Sequence, residues 1–411
     1  MNDPNVILVL IMGAILAAGL LSSLIKESFS PSIPLLMLIF GIIIGPIGFN
    51  AINIGTNYQL VEEATRITLA ISLMGVALRI PRTFTPKNWK SIAVVLLLVM
   101  PLMFLSSGIL VYFIIGLPLG IAMLIGAAVT PTDPVVASSI VTGKFAENKI
   151  SKRIRHFISV ESGANDGLAL PFVLLVIFFL EHSHNLFQKW IFEAVLYEVG
   201  VALLLGLLIG IIAGYLLKIA EDKKIIEQIN FLSYTLAISL LTVGIGALIN
   251  VDGIFAVFIA GLAFDQVIKG KERAEEEKFQ ESINRFFVLP IFILIGATIP
   301  GGAWFNLGGV GVILCVAILL FRRLPFILAL KPFMGTLKDY KDALFVGWFG
   351  PIGVAAVYYL SFSLNKLGIP QVWEIGTLII FSSILVHGIT ASPITRLYHK
   401  REDKKNNLVS V

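Results

Sequence analysis

Charged residues are scarce in this chain of 411 residues. Asp, Glu, Lys and Arg make up only 14% of it, whereas about 25% is usual in a soluble domain. This shortage excludes a cytosolic enzyme, a disordered chain and a nucleic-acid-binding module. Cysteine is nearly absent as well, because Cys315 is the only one, and this excludes a disulfide framework and a multi-cysteine metal site. With 57% hydrophobic residues, the composition predicts a protein embedded in a membrane.

Thirteen apolar segments follow one another along the chain, most of them near the roughly 20 residues that a membrane-spanning helix needs. We call them segments one to thirteen; they cover about 5–25, 33–49, 58–78, 91–115, 119–142, 156–180, 190–217, 228–249, 252–268, 286–300, 307–330, 342–361 and 371–395. The sequence therefore predicts an all-α integral membrane protein with about 13 transmembrane helices, forming a single membrane domain over residues 1–411.

The basic residues test this count, because lysine and arginine concentrate in cytoplasmic loops. When the loops are assigned alternately to the two sides, only Lys189 and Lys366 fall on one side. Arg66, Arg322 and Arg323 lie within segments, and every other basic residue falls on the opposite side. This asymmetry predicts a multi-pass protein of the cell membrane with its N-terminus outside and its C-terminus in the cytoplasm. The basic pI of about 9.1 then reflects orientation, and no nucleic-acid partner is expected.

Segment five carries residues that interrupt a helix. Pro131 and Pro134 flank Thr132 and Asp133 near its middle. Each proline removes a backbone donor and clashes with the preceding turn, and a carboxylate at this depth must face protein or water. We therefore expect two half-helices joined by an unwound stretch.

Segment twelve is interrupted similarly, by Gly350, Pro351 and Gly353. Prolines and glycines also serve packing in membrane helices, and either segment alone would fit that explanation. Segments five and twelve are seven apart, however, so they run in opposite directions, and a pair of interrupted helices in inverted halves is typical of secondary transporters. The implied units are repeat one at about 5–180, a connector helix at about 190–217, repeat two at about 228–395 and a short cytoplasmic tail at 396–411.

Segment six places ionisable residues in an otherwise apolar helix. Ser162 and Asp166 are four residues apart and share one face, while Glu161 and Asn165 share the adjacent face. A hydroxyl and a carboxylate on one face suit a hard cation, and backbone carbonyls around Thr132 would add further oxygen ligands.

Asp166 is the residue on which a transport hypothesis depends. Burial favours the neutral form of a carboxylic acid, so this carboxylate would hold either a proton or a monovalent cation, but not both. Competition for one group that is exposed alternately to each side is sufficient for exchange. A purely structural, hydrogen-bonding acid is the alternative, but acids inside a membrane are functional by default.

Two arginines, Arg322 and Arg323, lie within segment eleven. A buried arginine needs a carboxylate partner, and Glu161 is the best candidate because its face differs from that of Asp166. We interpret Arg323 and Glu161 as a structural pair, with Arg322 pointing elsewhere or reaching the membrane surface, although the sequence leaves open which arginine pairs. Asp133 is expected to offset the positive N-terminal ends of half-helices. His387 in segment thirteen is interpreted as a helix histidine with satisfied ring nitrogens.

Five motifs occur in a characteristic order: TDP at Thr132–Pro134, ESxxND at Glu161–Asp166, an arginine at Arg323, FGPIG at 349–353 and HGIT at 387–390. Together they resemble the cation:proton antiporter superfamily, and in particular its NhaP-type sodium/proton antiporters and sodium/hydrogen exchangers. The resemblance covers essentially the whole chain. It implies an NhaA/NhaP-like fold with two inverted repeats and crossed discontinuous helices. It also implies a homodimer in membrane lipid, each protomer having a dimerisation domain and a mobile six-helix core.

The resemblance also implies roles for individual residues. Asp166 would bind the transported cation and proton, and Ser162 and Thr132 would be co-ligands of Na+, Li+ or K+. Asn165 completes this ion- and proton-binding set, and in related antiporters such an Asn-Asp pair accompanies electroneutral, one-for-one exchange. Glu161 with Arg323 would be the supporting ion pair.

Other functions leave different traces in a sequence. A cation-coupled symporter of a small organic solute needs a larger polar or aromatic cavity, and the interrupted segments offer few such groups. No HExxH or GxSxG motif occurs, so we expect no enzyme and no cofactor besides the transported ions.

Selectivity among Na+, Li+ and K+ stays open, which leaves a K+/proton antiporter as a variant. The run at 269–278 is interpreted as a solvated cytoplasmic loop.

Overall fold

The fold is helical throughout the part of the chain that a computed structural model describes. The described residues are 4–28, 32–53, 55, 57–223, 231–268 and 286–409. No strand occurs among them, which confirms the predicted all-α class. The loop expected at 269–278 lies outside the described residues.

Helices occupy all thirteen predicted segments. The helices without a central interruption are Pro4–Ser28 (one), Ile33–Ile44 (two), Tyr58–Arg79 (three), Trp89–Ile115 (four), Lys152–Leu180 (six), Leu186–Asp222 (seven), Phe231–Leu248 (eight), Gly253–Ile268 (nine), Phe286–Ala297 (ten) and Pro370–Val409 (thirteen). The interrupted ones are Leu119–Ala128 with Ser138–Val141 (five), Gly301–Phe321 with Leu324–Leu330 (eleven) and Tyr340–Trp348 with Val354–Leu367 (twelve). Six of the described helices are long and apolar enough to cross a membrane. The count of thirteen crossings and the division into inverted repeats stay predictions.

Segment eleven contains an interruption that the sequence analysis did not anticipate. Its first helix ends at Phe321 and its second begins at Leu324, so the two arginines lie in the break rather than inside a continuous helix. Pro325 follows at the start of the second helix, where its missing N–H costs nothing but its ring prevents the first helix from continuing. The break turns both arginine side chains toward the protein interior.

The distribution of polarity is the reverse of that in a soluble protein. Segment seven exposes a row of apolar side chains: Leu203, Leu204, Leu207, Leu208, Ile211, Ile212, Tyr215 and Leu216. The interior instead holds charged side chains that are at most 4% exposed: Asp133, Glu161, Asp166, Arg322 and Arg323. An apolar exterior around a charged centre is the arrangement that a hydrocarbon environment requires.

Helix packing brings together segments five, six and twelve, which carry polar groups into the interior. Segment five packs against segments four, six, twelve and thirteen, and segment six also packs against segments three and nine. Gly163 and Gly167 allow a close approach of segments six and nine, because an added Cβ atom would overlap Phe258 and Phe255 respectively. Segment six is thereby held between segment nine and the interrupted helix of segment five.

Candidate functional site

The unwound stretches of segments five and twelve cross in the interior of the protein. Residues 129–137 and 349–353 connect the helical halves, and the N–H of Asp133 donates to the carbonyl of Pro351 at 2.7 Å. The side chain of Asp133 lies so close to Gly353 that an added Cβ atom would overlap it. The residues that the sequence analysis named as helix interruptions all lie in these stretches: Pro131, Pro134, Gly350, Pro351 and Gly353.

The Asp133 carboxylate lies where the second halves of both segments begin. Its Oδ1 accepts from the N–H groups of Val135 at 2.6 Å and Val136 at 2.9 Å. Its Oδ2 accepts from the N–H of Val354, the first residue of the second helix of segment twelve. A negative charge is stabilised at such N-terminal ends, where N–H groups lack a helical acceptor. The sequence analysis assigned this role to Asp133.

Arg322 lies where the first halves end. Its Nη1 donates to the carbonyls of Val129 at 2.7 Å and Thr130 at 3.0 Å, and its Nη2 donates to the carbonyl of Gly350. Carbonyls beyond the last turn of a helix lack an intrahelical donor, and a cation there is favourable. The sequence analysis expected Arg322 to point elsewhere or to reach the membrane surface, and it did not find this role. Two interrupted helices leave two carbonyl ends that each need a hydrogen-bond donor. This need could have predicted the role of Arg322 from the sequence.

Glu161 and Arg323 form a buried ion pair. The guanidinium Nη1 contacts Oε1, and Nη2 donates to Oε2 at 2.7 Å. The arginine also donates from Nε to the carbonyl of Val346 at 3.1 Å. Both side chains are 2% exposed. The structure therefore pairs Glu161 with Arg323 and not with Arg322, and it ties segment six to segments eleven and twelve.

Asn165 connects segment six to the unwound stretch of segment five. Its Oδ1 accepts from the N–H of Thr132 at 3.0 Å, and its Nδ2 donates to the Thr132 hydroxyl oxygen at 2.7 Å. A longer contact of 3.4 Å joins Nδ2 to Oε1 of Glu161. The Asn165 amide thus faces Thr132 and Glu161. Its NH2 group is needed there because the Thr132 hydroxyl and the Glu161 carboxylate both present oxygen atoms.

Asp166 differs from the other interior acids because nothing in the described part of the chain hydrogen-bonds to either of its carboxylate oxygens. The side chain is fully buried. Ser162, one turn earlier, has only a 3.4 Å contact to the carbonyl of Ser159, so its hydroxyl oxygen is available. An isolated buried carboxylate is very unfavourable, and this site therefore suits an acid that is neutralised by a proton or by a cation.

Tyr359 is a neighbour of Asp166 that sequence reasoning missed. Its hydroxyl donates to the backbone carbonyl of Asp166 at 2.5 Å. The bond joins the second helix of segment twelve to segment six at the position of the unpaired acid. No motif separates this tyrosine from Tyr358 beside it, so only the packing identifies it.

The described residues do not form a transition-metal centre, since no three His, Cys, Asp or Glu side chains among them converge. One carboxylate with hydroxyl and carbonyl oxygens is instead a ligand set for a hard cation.

Comparisons with known proteins agree with this chemistry. A family model described as the transmembrane sodium/hydrogen exchanger matches residues 6–397. A Na(+)/H(+) antiporter of Saccharomyces cerevisiae is 32% identical over 394 residues, which cover 87% of this chain and 40% of the yeast protein. A Na(+)/H(+) antiporter of Schizosaccharomyces pombe is 33% identical over 360 residues, covering 80% of this chain and 76% of that protein. The chain spans between two fifths and just over half of the length of three fungal relatives, the Saccharomyces cerevisiae protein among them.

The fold has a counterpart among solved structures. The sodium proton antiporter MjNhaP1 of Methanocaldococcus jannaschii superposes with a TM-score of 0.71 at 20% sequence identity, covering 94% of this chain and 96% of that chain. This similarity confirms the predicted NhaP-like fold. The family match and the apolar helices place the chain among multi-pass integral membrane proteins.

Replacing Arg323 tests the buried ion pair. Arg323→Ala should lower the free energy of unfolding by about 3–5 kcal/mol, because it leaves the Glu161 carboxylate buried without a partner. Thermal unfolding in detergent measures the effect. Ser162→Ala, on the helix that carries Glu161, is the control, and it should change the melting temperature little. Adding Glu161→Gln to Arg323→Ala should recover part of the lost stability. Equal melting temperatures for Arg323→Ala and Ser162→Ala would contradict this account.

Replacing Gly353 tests the close approach at the crossing. Gly353→Ala should destabilise the protein by about 1–3 kcal/mol, because the new methyl group would displace the Asp133 carboxylate. Gly244→Ala in segment eight is the control, since nothing lies within 4 Å of a Cβ atom there. A fall in melting temperature for the control as large as that for Gly353→Ala would show that the contact with Asp133 is not responsible.

Proposed function

The chain belongs to the sodium/hydrogen exchanger family, and on that premise we propose that it is a secondary active antiporter of a monovalent cation and protons. The single observation that carries the proposal is the Asp166 carboxylate, which is buried and has no hydrogen-bond partner among the described residues. Such a group must bind a proton or a cation, and one group that can bind either, but not both, is a site of exchange.

Na+ or Li+ is the proposed cation, with K+ as a variant. Asp166 supplies the charged ligand, and the hydroxyl of Ser162 and the Thr132 oxygens supply neutral ones. Oxygen ligands of this kind suit a hard cation. Asn165 supports the site by fixing Thr132 through two hydrogen bonds.

Exchange at this site is proposed to be electroneutral. Glu161 is engaged by Arg323, and Asp133 accepts three backbone N–H groups. Asp166 is then the one interior acid of this set that is open to exchange, and it carries one positive charge inward or outward in either form. One proton therefore moves for each monovalent cation.

Alternating access is the proposed mechanism, with Asp166 exposed first to one side of the membrane and then to the other. The proposed setting is the cell membrane, with the N-terminus outside, the C-terminus in the cytoplasm and a homodimer in membrane lipid. Two inverted repeats, at about 5–180 and 228–395, would supply the two interrupted helices.

Asp166→Asn tests the proposal directly. The purified protein is reconstituted in liposomes, a pH gradient is imposed, and dye dequenching is followed on addition of Na+, Li+ or K+. The variant should lose exchange completely and keep its melting temperature, because it removes a buried charge without changing the side chain's size. Asp222→Asn, at the exposed end of segment seven, is the matched control and should exchange at the wild-type rate. Wild-type rates for Asp166→Asn would remove this residue from the mechanism.

Membrane voltage tests the stoichiometry. With equal K+ on both sides and a potassium ionophore, the membrane potential is held at zero; with unequal K+, a potential is imposed. The initial rate of one-for-one exchange should be the same under both conditions, because no net charge crosses the membrane. A rate that follows the imposed potential would rule out the electroneutral assignment while leaving antiport itself intact.

A further inference from the structure

His387 in segment thirteen lies against the unwound stretch of segment twelve, outside the set of groups that bind the proposed ions. Its ring is buried, at 6% exposure. The Nε2 atom is 2.9 Å from the carbonyl of Trp348, and Nδ1 is 3.2 Å from the hydroxyl of Ser383. Both ring nitrogens therefore have polar partners, and those partners define the state of the ring.

The direction of each hydrogen bond follows from the donors available. A backbone carbonyl can only accept, so the Nε2 atom that faces Trp348 must carry a proton. The Ser383 hydroxyl oxygen accepts from the N–H of Ile352 at 2.8 Å, and its own hydrogen can then be donated to Nδ1. A ring that carries a proton on Nε2 therefore satisfies the Trp348 carbonyl.

Nδ1 also lies 2.8 Å from the backbone carbonyl of Ser383. Ser383 therefore offers Nδ1 two oxygen atoms, its hydroxyl and its carbonyl, whereas Nε2 faces only the Trp348 carbonyl. The proton that the Trp348 contact requires is the one on Nε2.

These contacts hold the unwound stretch of segment twelve at both of its ends. Trp348 is the last residue of the first helix of segment twelve, and Ile352 lies just before its second helix. A further bond runs from the indole N–H of Trp348 to the hydroxyl of Thr390 at 3.2 Å. Because Ser383, His387 and Thr390 recur at helical spacing, one face of segment thirteen holds the stretch.

The stretch held in this way determines the geometry of the ion site. It presents the carbonyl of Gly350 to Arg322 and that of Pro351 to the N–H of Asp133. Asp133 is adjacent to Thr132, whose distance from Asp166 decides how a cation is coordinated. We propose that His387, protonated on Nε2, is a positioning residue that keeps Thr132 and Asp166 at the spacing the cation needs. This inference rests on the proposed exchange.

Three substitutions separate positioning from simple packing. A glutamine amide reaches the Nε2 position, whereas an asparagine amide reaches only the Nδ1 position. His387→Gln should therefore retain the bond to Trp348 and exchange with nearly the wild-type apparent KM for Na+. His387→Asn and His387→Leu should raise that KM about tenfold, the change expected for one lost buried hydrogen bond. His184→Asn, in an exposed loop, is the control and should leave KM unchanged.

Nitrogen-15 NMR of histidine-labelled protein reads the tautomer without any transport. The chain has five histidines, and the resonances lost in His387→Gln belong to this ring. We expect a proton on Nε2 at neutral pH. A proton on Nδ1 alone would overturn the inference even if the wild-type protein exchanged ions.

The kinetic results can also overturn it. Equal KM values for His387→Gln and His387→Asn, or a wild-type KM for His387→Leu, would show that the Nε2 bond does not position the site. If a variant fails to fold, Ser383→Ala serves in its place: it removes the donor to Nδ1 and the acceptor for Ile352, and should raise KM likewise. Absence of exchange in the wild-type protein would instead count against the proposed function, and the NMR result would still decide the tautomer.

Discussion

The requirement that backbone polar groups find partners inside a membrane governs this structure. Segments five and twelve are interrupted in the interior of the protein, and each interruption leaves free N–H groups on one side and free carbonyls on the other. Asp133 accepts from the N–H groups of both second halves, and Arg322 donates to the carbonyls of both first halves. Opposite charges placed on opposite sides of one crossing make unwound backbone tolerable at this depth.

Because Asp133 and Arg322 stabilise the crossing, the other interior polar groups can have different roles. Arg323 neutralises Glu161, and Asn165 hydrogen-bonds to the N–H and to the hydroxyl oxygen of Thr132. Asp166 is left as a buried acid without a hydrogen-bond partner in the described residues. The proposed exchange uses that difference: acids with fixed partners hold the framework, and the acid without one is free to change between a proton and a cation.

Segment thirteen adds a third support to the crossing. Arg322 donates to the carbonyl of Gly350, and Asp133 accepts from the N–H of Val354. Ser383 accepts from the N–H of Ile352, and His387 contacts the carbonyl of Trp348. Side chains of three other segments therefore hold the break, although it lacks regular secondary structure. Such support matters for a cation site, because a ligand displaced by 1 Å no longer coordinates well.

The sequence by itself determined the class of protein, the helical segments and the two interruptions, because composition, apolar length and proline or glycine placement act locally. It also identified Asp133, Glu161 and Asp166, since a charge inside an apolar helix is conspicuous without any fold. The tertiary structure decided which of the two arginines pairs with Glu161 and which groups Arg322 binds. Arg322 binds carbonyls from two distant segments, and Tyr359 and His387 contact groups on other helices; such contacts depend on how helices pack, which no local pattern encodes.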